Sequence, residues 1–425
     1  MAQSLNARVL AAGAIGNALE WYDFAIYAYF APVIATHFFP SDDPVNSILA
    51  TFGVLAAGYI MRPLGGILLG HVGDRAGRRF ALSLSIILMA VPTSLIAVLP
   101  TFDAIGIAAP IVLTILRLLQ GLSVGGEYMG SVVFVAERAP KRRRGLAASV
   151  CSTSGSVGIL VASAVATLLG AVMAEDTLND WGWRLPFAAG LLLGGIGFLL
   201  RRHIQEIGPA LGGSYEPPRM PIFIVVRDHL PTVLRTFALA GFMGALFYVT
   251  FVYLTTYLTE VVGTGRSAVL EINTVAMIVL VIVMPLFGLL SDRIGRKPVI
   301  IGSAVGTLVL SYPLFLLLHS GNVGLEVVGD LGLAVLMGAS LGPMPALMAE
   351  LYPKEIRYSA TAFSYNLPVA IFGGTAPLIA TFLVAETGND YSPAFYLIVM
   401  AVIGLAALML TPETKDVDLH RIRTD

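Results

Sequence analysis

Twelve long apolar stretches, separated by short charged or turn-forming segments, constrain this chain more than any other feature. An α-helix rises 1.5 Å per residue, so about 20 residues cross the roughly 30 Å hydrocarbon layer of a bilayer. Only 12% of the 425 residues are charged, against about 25% in a soluble domain. The sequence therefore predicts an all-α membrane protein with twelve transmembrane helices, near residues 9–38, 46–71, 80–100, 104–137, 145–173, 184–202, 232–261, 266–290, 298–319, 324–350, 358–386 and 391–411.

The longest polar stretch, residues 203–231, divides these helices into two groups of six. It contains Gly212-Gly213-Ser214 and Pro217-Pro218, which are typical of a linker. We therefore predict an N-terminal six-helix bundle over 1–202, a linker over 203–231, a C-terminal six-helix bundle over 232–411 and a tail over 412–425.

Two motifs occur twice, once in each predicted half. Gly70-x-x-x-Asp74-Arg75-x-Gly77-Arg78-Arg79 recurs 218 residues later as Gly288-x-x-x-Asp292-Arg293-x-Gly295-Arg296-Lys297. Ala136-Glu137-x-x-Pro140-Lys141-x-x-Arg144 recurs 213 residues later as Ala349-Glu350-x-x-Pro353-Lys354-x-x-Arg357. Each motif follows the second or the fourth helix of its half. The repeats predict two pseudo-symmetric bundles of like topology.

The basic residues predict how the chain is oriented in the membrane. Short loops rich in Lys and Arg stay on the cytoplasmic side. Taking alternate connections from the N-terminus, together with the linker and the tail, accounts for 22 of the 26 Lys and Arg residues. This asymmetry predicts that both termini are cytoplasmic.

Two carboxylates lie near the middle of the first apolar stretch, Glu20 and Asp23. A carboxylate at that depth costs about 2.5–3.5 kcal/mol on insertion scales and usually marks an ion or substrate path. The two are three residues apart, on one helix face with Asn17 and Tyr27. Because like charges repel, one carboxyl is expected to hold the coupling proton. Arg117, at a similar depth in the fourth helix, is expected to bind a substrate carboxylate.

Structural alternatives stay open for these charges. Glu20 or Asp23 could pair with Arg62 or Arg117 only to stabilise the fold. Arg62 lies nearer the inner end of the second helix and suits a structural role as well as substrate binding. Glu127, toward the cytoplasmic end of the fourth helix, is predicted as a second proton site.

The second half differs because helices 7 to 11 carry no charged residue in their central portions. We therefore assign charge handling to the first half. Neutral side chains of helices 7 and 11 are predicted to shape the substrate cavity, namely Tyr248, Tyr253, Tyr365 and Asn366. The alternative is that the tyrosines form an interfacial belt or pack between helices.

These features carry a family resemblance that covers the whole chain. The paired Gly-x-x-x-Asp-Arg-x-Gly-Arg-Arg/Lys loops resemble the signature of the major facilitator superfamily between helices 2 and 3 and between helices 8 and 9. Four further segments resemble its metabolite:proton symporter branch, which includes proline/betaine, citrate, oxoglutarate and shikimate carriers. They are Gly16–Phe24, Met61–Gly66, Arg117–Glu127 and Trp181–Phe187.

The resemblance implies that the repeated motifs form a latch that holds an outward-facing state. An aspartate at a helix end can accept hydrogen bonds from an arginine or from the free N–H groups of a neighbouring helix. The alternative is that the arginines only set topology. The latch residues implied are Asp74, Arg75, Arg78, Arg79, Glu137 and Arg144 in the first half, and Asp292, Arg293 and Arg296 in the second.

We therefore predict a proton-coupled symporter of the major facilitator fold that imports a small organic carboxylate, or a zwitterion bearing one, by alternating access. Proline/betaine uptake and an organic-anion uniporter or exchanger without proton coupling are the alternatives. Exchangers of the superfamily commonly carry a Gly-Pro motif in helix 5, and Ser152–Gly158 contains no proline. This favours symport. Asp23 is preferred over Glu20 as the proton carrier.

The sequence also limits the other functions. It contains no nucleotide-binding loop, metal-ligand cluster or nucleophile–base pair, so no enzymatic activity is predicted. The expected partners are the lipid bilayer, a small-molecule substrate and protons, with no nucleic acid and no cofactor beyond the coupling proton. A monomer in the bacterial inner membrane is expected.

Overall fold

The structure, a computed structural model, describes residues 7–42, 44–202 and 221–419. All the regular elements in these ranges are helical. As far as Arg202 the α-helices are α1 (Ala7–Tyr29), α2 (Ala31–Phe38), α3 (Pro44–Arg75), α4 (Arg78–Val98), α5 (Phe102–Ile105), α6 (Ala108–Arg138), α7 (Arg144–Val172), α8 (Glu175–Thr177) and α9 (Arg184–Arg202). The six helices predicted here are present, and the first is broken between α1 and α2 at Phe30.

The helices after residue 220 follow the predicted order as well. They are α10 (Pro221–Asp228), α11 (Leu230–Tyr248), α12 (Leu254–Thr256), α13 (Arg266–Ile294), α14 (Arg296–Leu318), α15 (Val323–Leu341), α16 (Met344–Leu351), α17 (Arg357–Pro368), α18 (Ala376–Thr387) and α19 (Ser392–Leu410). The predicted helix over 324–350 is interrupted between α15 and α16, where Pro343 removes a backbone donor.

Two predicted helices contain π-helical turns, which hydrophobic patterns did not predict. These turns are Val249–Tyr253 and Tyr257–Val262 on either side of α12, and Val369–Gly373 between α17 and α18. Pro368 immediately precedes the last of them. Proline lacks a donor and crowds the preceding turn, so it favours a wider turn at that point.

Among the described residues, eleven helical segments are long and apolar enough to cross a bilayer. The segment α1 is not among them, because polar residues that include Glu20 and Asp23 lower its mean hydropathy. These two residues are the ones that made the first stretch unusual in the sequence. The prediction of an all-α protein that crosses the membrane many times is confirmed.

The chain forms two compact units. The first, called the N-unit, comprises the described residues of Asn6–Phe134 and Ser154–Arg219. The second, called the C-unit, comprises Val135–Thr153 and the described residues from 221 onward. The connection between α6 and α7 therefore belongs to the C-unit. The predicted domain boundaries at 202, 231 and 411 stay a prediction.

Glycines hold α3 and α6 together within the N-unit. A Cβ atom on Gly121 would lie 2.0 Å from the carbonyl oxygen of Gly58, and one on Gly125 would lie 2.0 Å from that of Arg62. No side chain fits at those distances, so the two backbones touch. Small residues permit such close approach between membrane helices. The glycines of the Arg117–Glu127 motif thus serve helix packing.

Part of the predicted linker is folded in the C-unit. Helix α10 lies inside the range 203–231, and its Val225 is buried against Val233, Tyr352 and Ile356. The rest of the polar stretch, 203–220, lies outside the described residues. The sequence missed this helix because its flanking polar residues dominated the pattern.

Candidate functional site

A buried ion pair joins α1 to α6 within the N-unit. Arg117 Nη1 lies 2.5 Å from Asp23 Oδ2, and both side chains are at most 1% exposed. The other carboxylate oxygen of Asp23 accepts hydrogen bonds from Thr93 Oγ1 at 2.8 Å and Gln120 Nε2 at 3.0 Å. Gln120 Nε2 also donates to Thr93 Oγ1 at 2.8 Å. Asp23 is therefore held by α4 and α6 as well as by its own helix.

The ring of Tyr27 packs against this ion pair. The Arg117 guanidinium carbon lies 3.8 Å from the centroid of the Tyr27 ring. The Tyr27 hydroxyl donates to the carbonyl oxygen of Thr51 at 3.1 Å. Tyr27 was predicted to contact substrate, and in the structure it is a platform for Arg117. Its fixed ring orients the guanidinium toward Asp23.

Sequence reasoning missed the two neutral members of this network, Thr93 and Gln120. Gln120 lies three residues after Arg117 and so shares its helix face, which is a signal that could have found it. Thr93 follows Pro92 in α4 and carries no comparable signal, because only the packing of α4 against α1 brings it to Asp23.

Glu20 is buried beside this network but is bound differently. Its side chain is 1% exposed, and its Oε2 atom has no hydrogen-bond partner in the described part of the chain. The charges of Arg62, Glu127 and Asp23 all act on it. Glu20 and Asp23 thus share a helix face, as predicted, while only Asp23 is enclosed by hydrogen-bond donors.

Arg62 lies among aromatic rings. Its guanidinium carbon is 3.9 Å from the centroid of Tyr59, 5.1 Å from that of Phe24 and 5.3 Å from that of Trp21. Arg62 is only 6% exposed. Three ring faces therefore surround one cation inside a membrane-crossing unit.

A second buried ion pair joins Glu127 to Arg201 at the end of α9. Glu127 accepts hydrogen bonds from Ser85 Oγ and, at 3.0 Å, from Ser131 Oγ. Arg201 pairs with the carboxylate and donates to the carbonyl oxygens of Ala12 and Leu82. Arg201 was missed, because the sequence placed it among the basic residues of the linker. In the structure it is fully buried.

Asn17 also lies at this end of the N-unit. It is fully buried and donates from Nδ2 to Ser154 Oγ at 3.2 Å. It therefore ties α1 to α7, and this contact gives it a helix-packing role alongside the predicted role in binding.

The candidates predicted in the second half all lie in the C-unit. Tyr253 is buried, with its ring centroid 6.0 Å from that of Tyr257. Asn366 Nδ2 donates to the Ala362 carbonyl oxygen at 2.8 Å. Tyr248 and Tyr365 are half-buried. Tyr253 and Asn366 therefore have contacts within the helix packing.

The assignment of charge handling to the first half stays a prediction, and the C-unit also contains two buried acids, toward the start of the helix predicted over 324–350. Glu326 and Asp330 in α15 are 0% and 2% exposed. Thr264 Oγ1 donates to Glu326 Oε1 at 2.9 Å, and Asp330 Oδ1 has no hydrogen-bond partner among residues 7–42, 44–202 and 221–419. The two acids lie one turn apart on one helix face in the first half of α15.

The first repeat of the loop motif contains a local ion pair. Arg78 Nη1 lies 3.1 Å from Asp74 Oδ1 and donates to the Gly73 carbonyl oxygen at 2.9 Å. Arg75 is exposed and Arg79 is half-buried. Asp74 and Arg78 are therefore the buried core of this motif.

The second repeat binds the start of α7. The two oxygens of Asp292 accept the backbone N–H groups of Gly145 at 2.8 Å and Leu146 at 2.9 Å. Arg296 donates to Asp292 at 2.7 Å and pairs with Glu350 at 3.1 Å. The first N–H groups of a helix have no partner within it and carry partial positive charge, which favours a carboxylate there. Arg293, in contrast, is exposed.

The second repeated motif makes reciprocal ion pairs within the C-unit. Arg357 Nη1 lies 2.7 Å from Glu137 Oε1, and Arg144 Nη1 lies 3.7 Å from Glu350 Oε1. Glu137 and Glu350 are repeat equivalents, as are Arg144 and Arg357. The acid of each repeat therefore pairs with the arginine of the other. Glu350 and Arg357 were visible as repeat members but were not predicted as site residues.

Comparison with known proteins identifies the family. The sequence model described as "Sugar (and other) transporter" matches residues 9–206 and 225–425. The chain belongs to this family of the major facilitator superfamily. It is therefore a transporter and not an enzyme, and the predicted resemblance to the metabolite:proton symporter branch is confirmed by its relatives.

Several curated relatives are similar over nearly the whole chain. The glycine betaine/proline/ectoine/pipecolic acid transporter OusA of Dickeya dadantii is 36% identical over 421 residues, which cover 96% of this chain and 84% of OusA. The proline/betaine transporter of Escherichia coli K12 is 35% identical with the same coverage. A putative proline/betaine transporter of Staphylococcus haemolyticus is 36% identical over 410 residues, covering 96% of this chain and 87% of that protein.

Solved structures share the fold. The proton:xylose symporter XylE from E. coli matches with a TM-score of 0.76 at 19% identity over 97% of each chain. The human organic anion transporter MFSD10 matches with a TM-score of 0.69 at 17% identity, covering 96% of this chain and 100% of the other. The major facilitator fold predicted from the repeats, with two bundles of six helices, is confirmed.

Proposed function

We propose that the protein is a proton-coupled symporter that takes up a small zwitterion of the proline or betaine type. The observation that carries this proposal is the enclosed ion pair between Asp23 and Arg117, 2.5 Å apart in a membrane-crossing unit. The substrate class follows from the relatives, two of which are named as transporters of proline and betaine. A carboxylate is the part of such a substrate that a guanidinium binds.

Arg117 couples proton binding to substrate binding, because it pairs either with Asp23 or with a substrate carboxylate. With Asp23 ionised, Arg117 is neutralised and a second carboxylate gains little by approaching it. When Asp23 takes a proton, the ion pair is lost and the guanidinium is left without a counter-charge in an apolar surrounding, which is costly. A substrate carboxylate then restores that charge balance. Proton and substrate therefore favour each other's binding, which is the thermodynamic requirement for symport.

Thr93 and Gln120 act in this scheme as hydrogen-bond donors to Asp23. Both donate to Asp23 Oδ1 at 2.8 and 3.0 Å, so they stabilise the ionised carboxylate. Protonation of Asp23 in the proposed cycle therefore disturbs its contacts with three donors, Arg117, Thr93 and Gln120. Glu20 is the second candidate for the proton because its Oε2 atom accepts no hydrogen bond within the described ranges.

The Asp292 cluster is proposed to open and close during transport. Its hydrogen bonds to the N–H groups of Gly145 and Leu146 at 2.8 and 2.9 Å need no covalent rearrangement to break. Charge-assisted hydrogen bonds contribute about 1.5–3 kcal/mol each, which is enough to bias a two-state equilibrium without making it irreversible. We assign the same role, more locally, to Asp74 and Arg78.

Uptake into proteoliposomes tests the proposal. The purified protein is reconstituted, a pH gradient is imposed with the outside acidic, and uptake of radiolabelled proline and glycine betaine is measured with the membrane potential clamped. We expect accumulation that disappears when the gradient is dissipated. Equal uptake with and without the gradient would leave a uniporter, which was the alternative from sequence. Competition with citrate and acetate tests the organic-anion alternative, since only that alternative expects them to displace the labelled zwitterion.

We further propose that the protein is a monomer in the bacterial inner membrane with both termini in the cytoplasm. The asymmetric distribution of Lys and Arg supports this orientation. A protease-sensitive tag at each terminus should be cleaved in inverted membrane vesicles and protected in intact spheroplasts.

A further inference from the structure

The rings around Arg62 form an aromatic cage built by two helices. Trp21 and Phe24 come from α1, and Tyr59 comes from α3, where Arg62 itself lies one turn further on. The ring centroids are 3.9–5.3 Å from the guanidinium carbon. Cation–π attraction operates within about 6 Å of a ring centroid and strengthens when the cation is desolvated. The cage therefore stabilises a cation where water is scarce.

The cage has an open side. Phe24 and Arg62 are buried, whereas Trp21 and Tyr59 are half-buried. Trp21 is positioned by α7, because a Cβ atom on Gly155 would lie 2.7 Å from Trp21 Cδ1. The ring is thus seated against a backbone that has no side chain at this position. The cage is a preformed feature with one partly exposed edge.

The chemistry of the cage fits a quaternary or secondary ammonium group. A quaternary ammonium resembles a guanidinium in being a bulky, weakly hydrated cation, and aromatic cages are a recurring means of binding it, while a secondary ammonium shares the positive charge. Glu20 lies near enough to Arg62 to interact with it electrostatically, and its Oε2 atom, which has no hydrogen-bond partner among the described residues, is a nearby acceptor. A zwitterion offers both a carboxylate and such a cation.

We propose that Trp21, Phe24 and Tyr59 form the subsite for the ammonium group of the substrate, and that Arg62 occupies it as a resident cation when no substrate is bound. This inference rests on the proposed function, because it identifies where the cationic end of a zwitterion binds. Substrate entry moves the guanidinium out of the cage, and the Glu20 Oε2 atom is then available to accept a hydrogen bond from it. Anions without an ammonium group then gain nothing from the cage.

The test compares glycine betaine with 3,3-dimethylbutanoate, which has the same shape and carboxylate but a carbon in place of the charged nitrogen. Binding of each to the purified full-length protein is measured by isothermal titration calorimetry. We expect betaine to bind about tenfold more tightly than the uncharged isostere. Tyr59→Leu should remove most of that preference, and Tyr59→Phe, which keeps the ring face, should retain it. Tyr29→Leu, at an exposed tyrosine of α1, is the matched control and should change neither affinity.

A second variant makes the resident cation testable. Arg62→Ala empties the cage, so tetramethylammonium, which has no carboxylate, should bind this variant about tenfold more tightly than it binds the unmodified protein. If Arg62 has only a structural role, the Arg62→Ala variant should bind tetramethylammonium no more tightly than the unmodified protein does. Adding Tyr59→Leu to Arg62→Ala should abolish the expected gain.

The outcomes separate this inference from the proposed function. If proton-driven betaine uptake occurs but Tyr59→Leu weakens betaine and its isostere equally, the cage assignment is overturned and the symport proposal stands. If no proton-driven uptake occurs but tetramethylammonium binding depends on Tyr59 and rises in Arg62→Ala, the cage stands and the symport proposal falls. Unchanged tetramethylammonium affinity in a folded Arg62→Ala protein would overturn the resident-cation role.

Discussion

At the scale of single residues, three buried carboxylates of the N-unit differ in their ion pairs and in the hydrogen bonds that they accept. Asp23 is ion-paired and accepts two further hydrogen bonds. Glu127 is ion-paired and bound by two serines. Glu20 has one carboxylate oxygen with no donor in the described ranges. The sequence could place all three inside the membrane but could not separate them, because the separation depends on Thr93, Gln120 and Arg201, which come from other helices.

The first prediction separates the two proton candidates. Asp23→Asn should abolish the about tenfold accumulation that a one-unit pH gradient sustains for one proton per substrate. Downhill exchange of labelled for unlabelled substrate should persist, because exchange needs no net proton movement. Glu20→Gln is the parallel variant. Full pH-driven accumulation in Asp23→Asn, together with its loss in Glu20→Gln, would transfer the proton to Glu20.

The second prediction concerns Glu127, for which a proton-carrying role was predicted from sequence. Glu127 is ion-paired with Arg201 and accepts hydrogen bonds from two serines, which favours a structural role. Breaking a buried pair by removing one partner costs about 3–5 kcal/mol, so Arg201→Leu should strongly lower the thermal unfolding temperature in detergent. The double variant Glu127→Leu with Arg201→Leu should recover part of that loss, since neither charge is left alone.

The pH dependence of uptake distinguishes the two roles of Glu127. Glu127→Gln should lower stability while leaving the pH profile of uptake where it was. If the Glu127→Gln protein is folded but its pH profile of uptake is shifted, Glu127 carries a coupling proton.

At the scale of elements, helix positions followed from the sequence much better than helix contacts. Apolar length predicted every long helix, because length and hydropathy are local properties. The π-helical turns and the break at Phe30 were missed, because apolar length and mean hydropathy do not distinguish one type of helical turn from another. The glycines of the Arg117–Glu127 motif were quoted as a family signature, and only the structure shows them in contact with the backbone of α3.

The third prediction tests that contact. Gly121→Ala places a methyl group 2.0 Å from the Gly58 carbonyl oxygen, so α3 and α6 must separate. Overpacking of this kind costs about 1–3 kcal/mol. We expect a lower unfolding temperature and weaker substrate binding, because α3 carries Arg62 and α6 carries Arg117. Gly53→Ala in α3, the helix that Gly121 packs against, is the control. Nothing lies within 4 Å of its added Cβ atom, and a drop of equal size there would point to glycine loss in general.

At the scale of the whole molecule, the repeated motifs carry four buried ion pairs of the C-unit. Asp292 binds the first N–H groups of α7, and Arg296 joins Asp292 to Glu350. The sequence predicted that these loops would matter, because the repeat marked them twice. It could not predict which partners these aspartates take: each pairs with the arginine four residues later, and Asp292 also accepts the backbone N–H groups of α7.

The fourth prediction tests the latch without touching a charge. Gly288→Ala places a methyl group 2.5 Å from Ser149 Oγ and 2.7 Å from the Gly145 carbonyl oxygen, which forces α7 away from Asp292. Losing one charge-assisted hydrogen bond costs about 1.5–3 kcal/mol, so the transport rate should fall about tenfold or more. Substrate affinity at equilibrium should change much less. Gly302→Ala, with nothing within 4 Å of its added Cβ atom, should transport normally.

The reciprocal pairs of Glu137 with Arg357 and of Arg144 with Glu350 have a consequence for the ancestry of the protein. In a homodimer of a single six-helix chain, one glutamate and one arginine would form both bonds, because a two-fold interface uses each contact twice. Two residues encoded once would therefore have sufficed to hold such a dimer. In the present chain the four positions are encoded separately, so each pair can be changed alone, and the two pairs differ in length, at 2.7 and 3.7 Å.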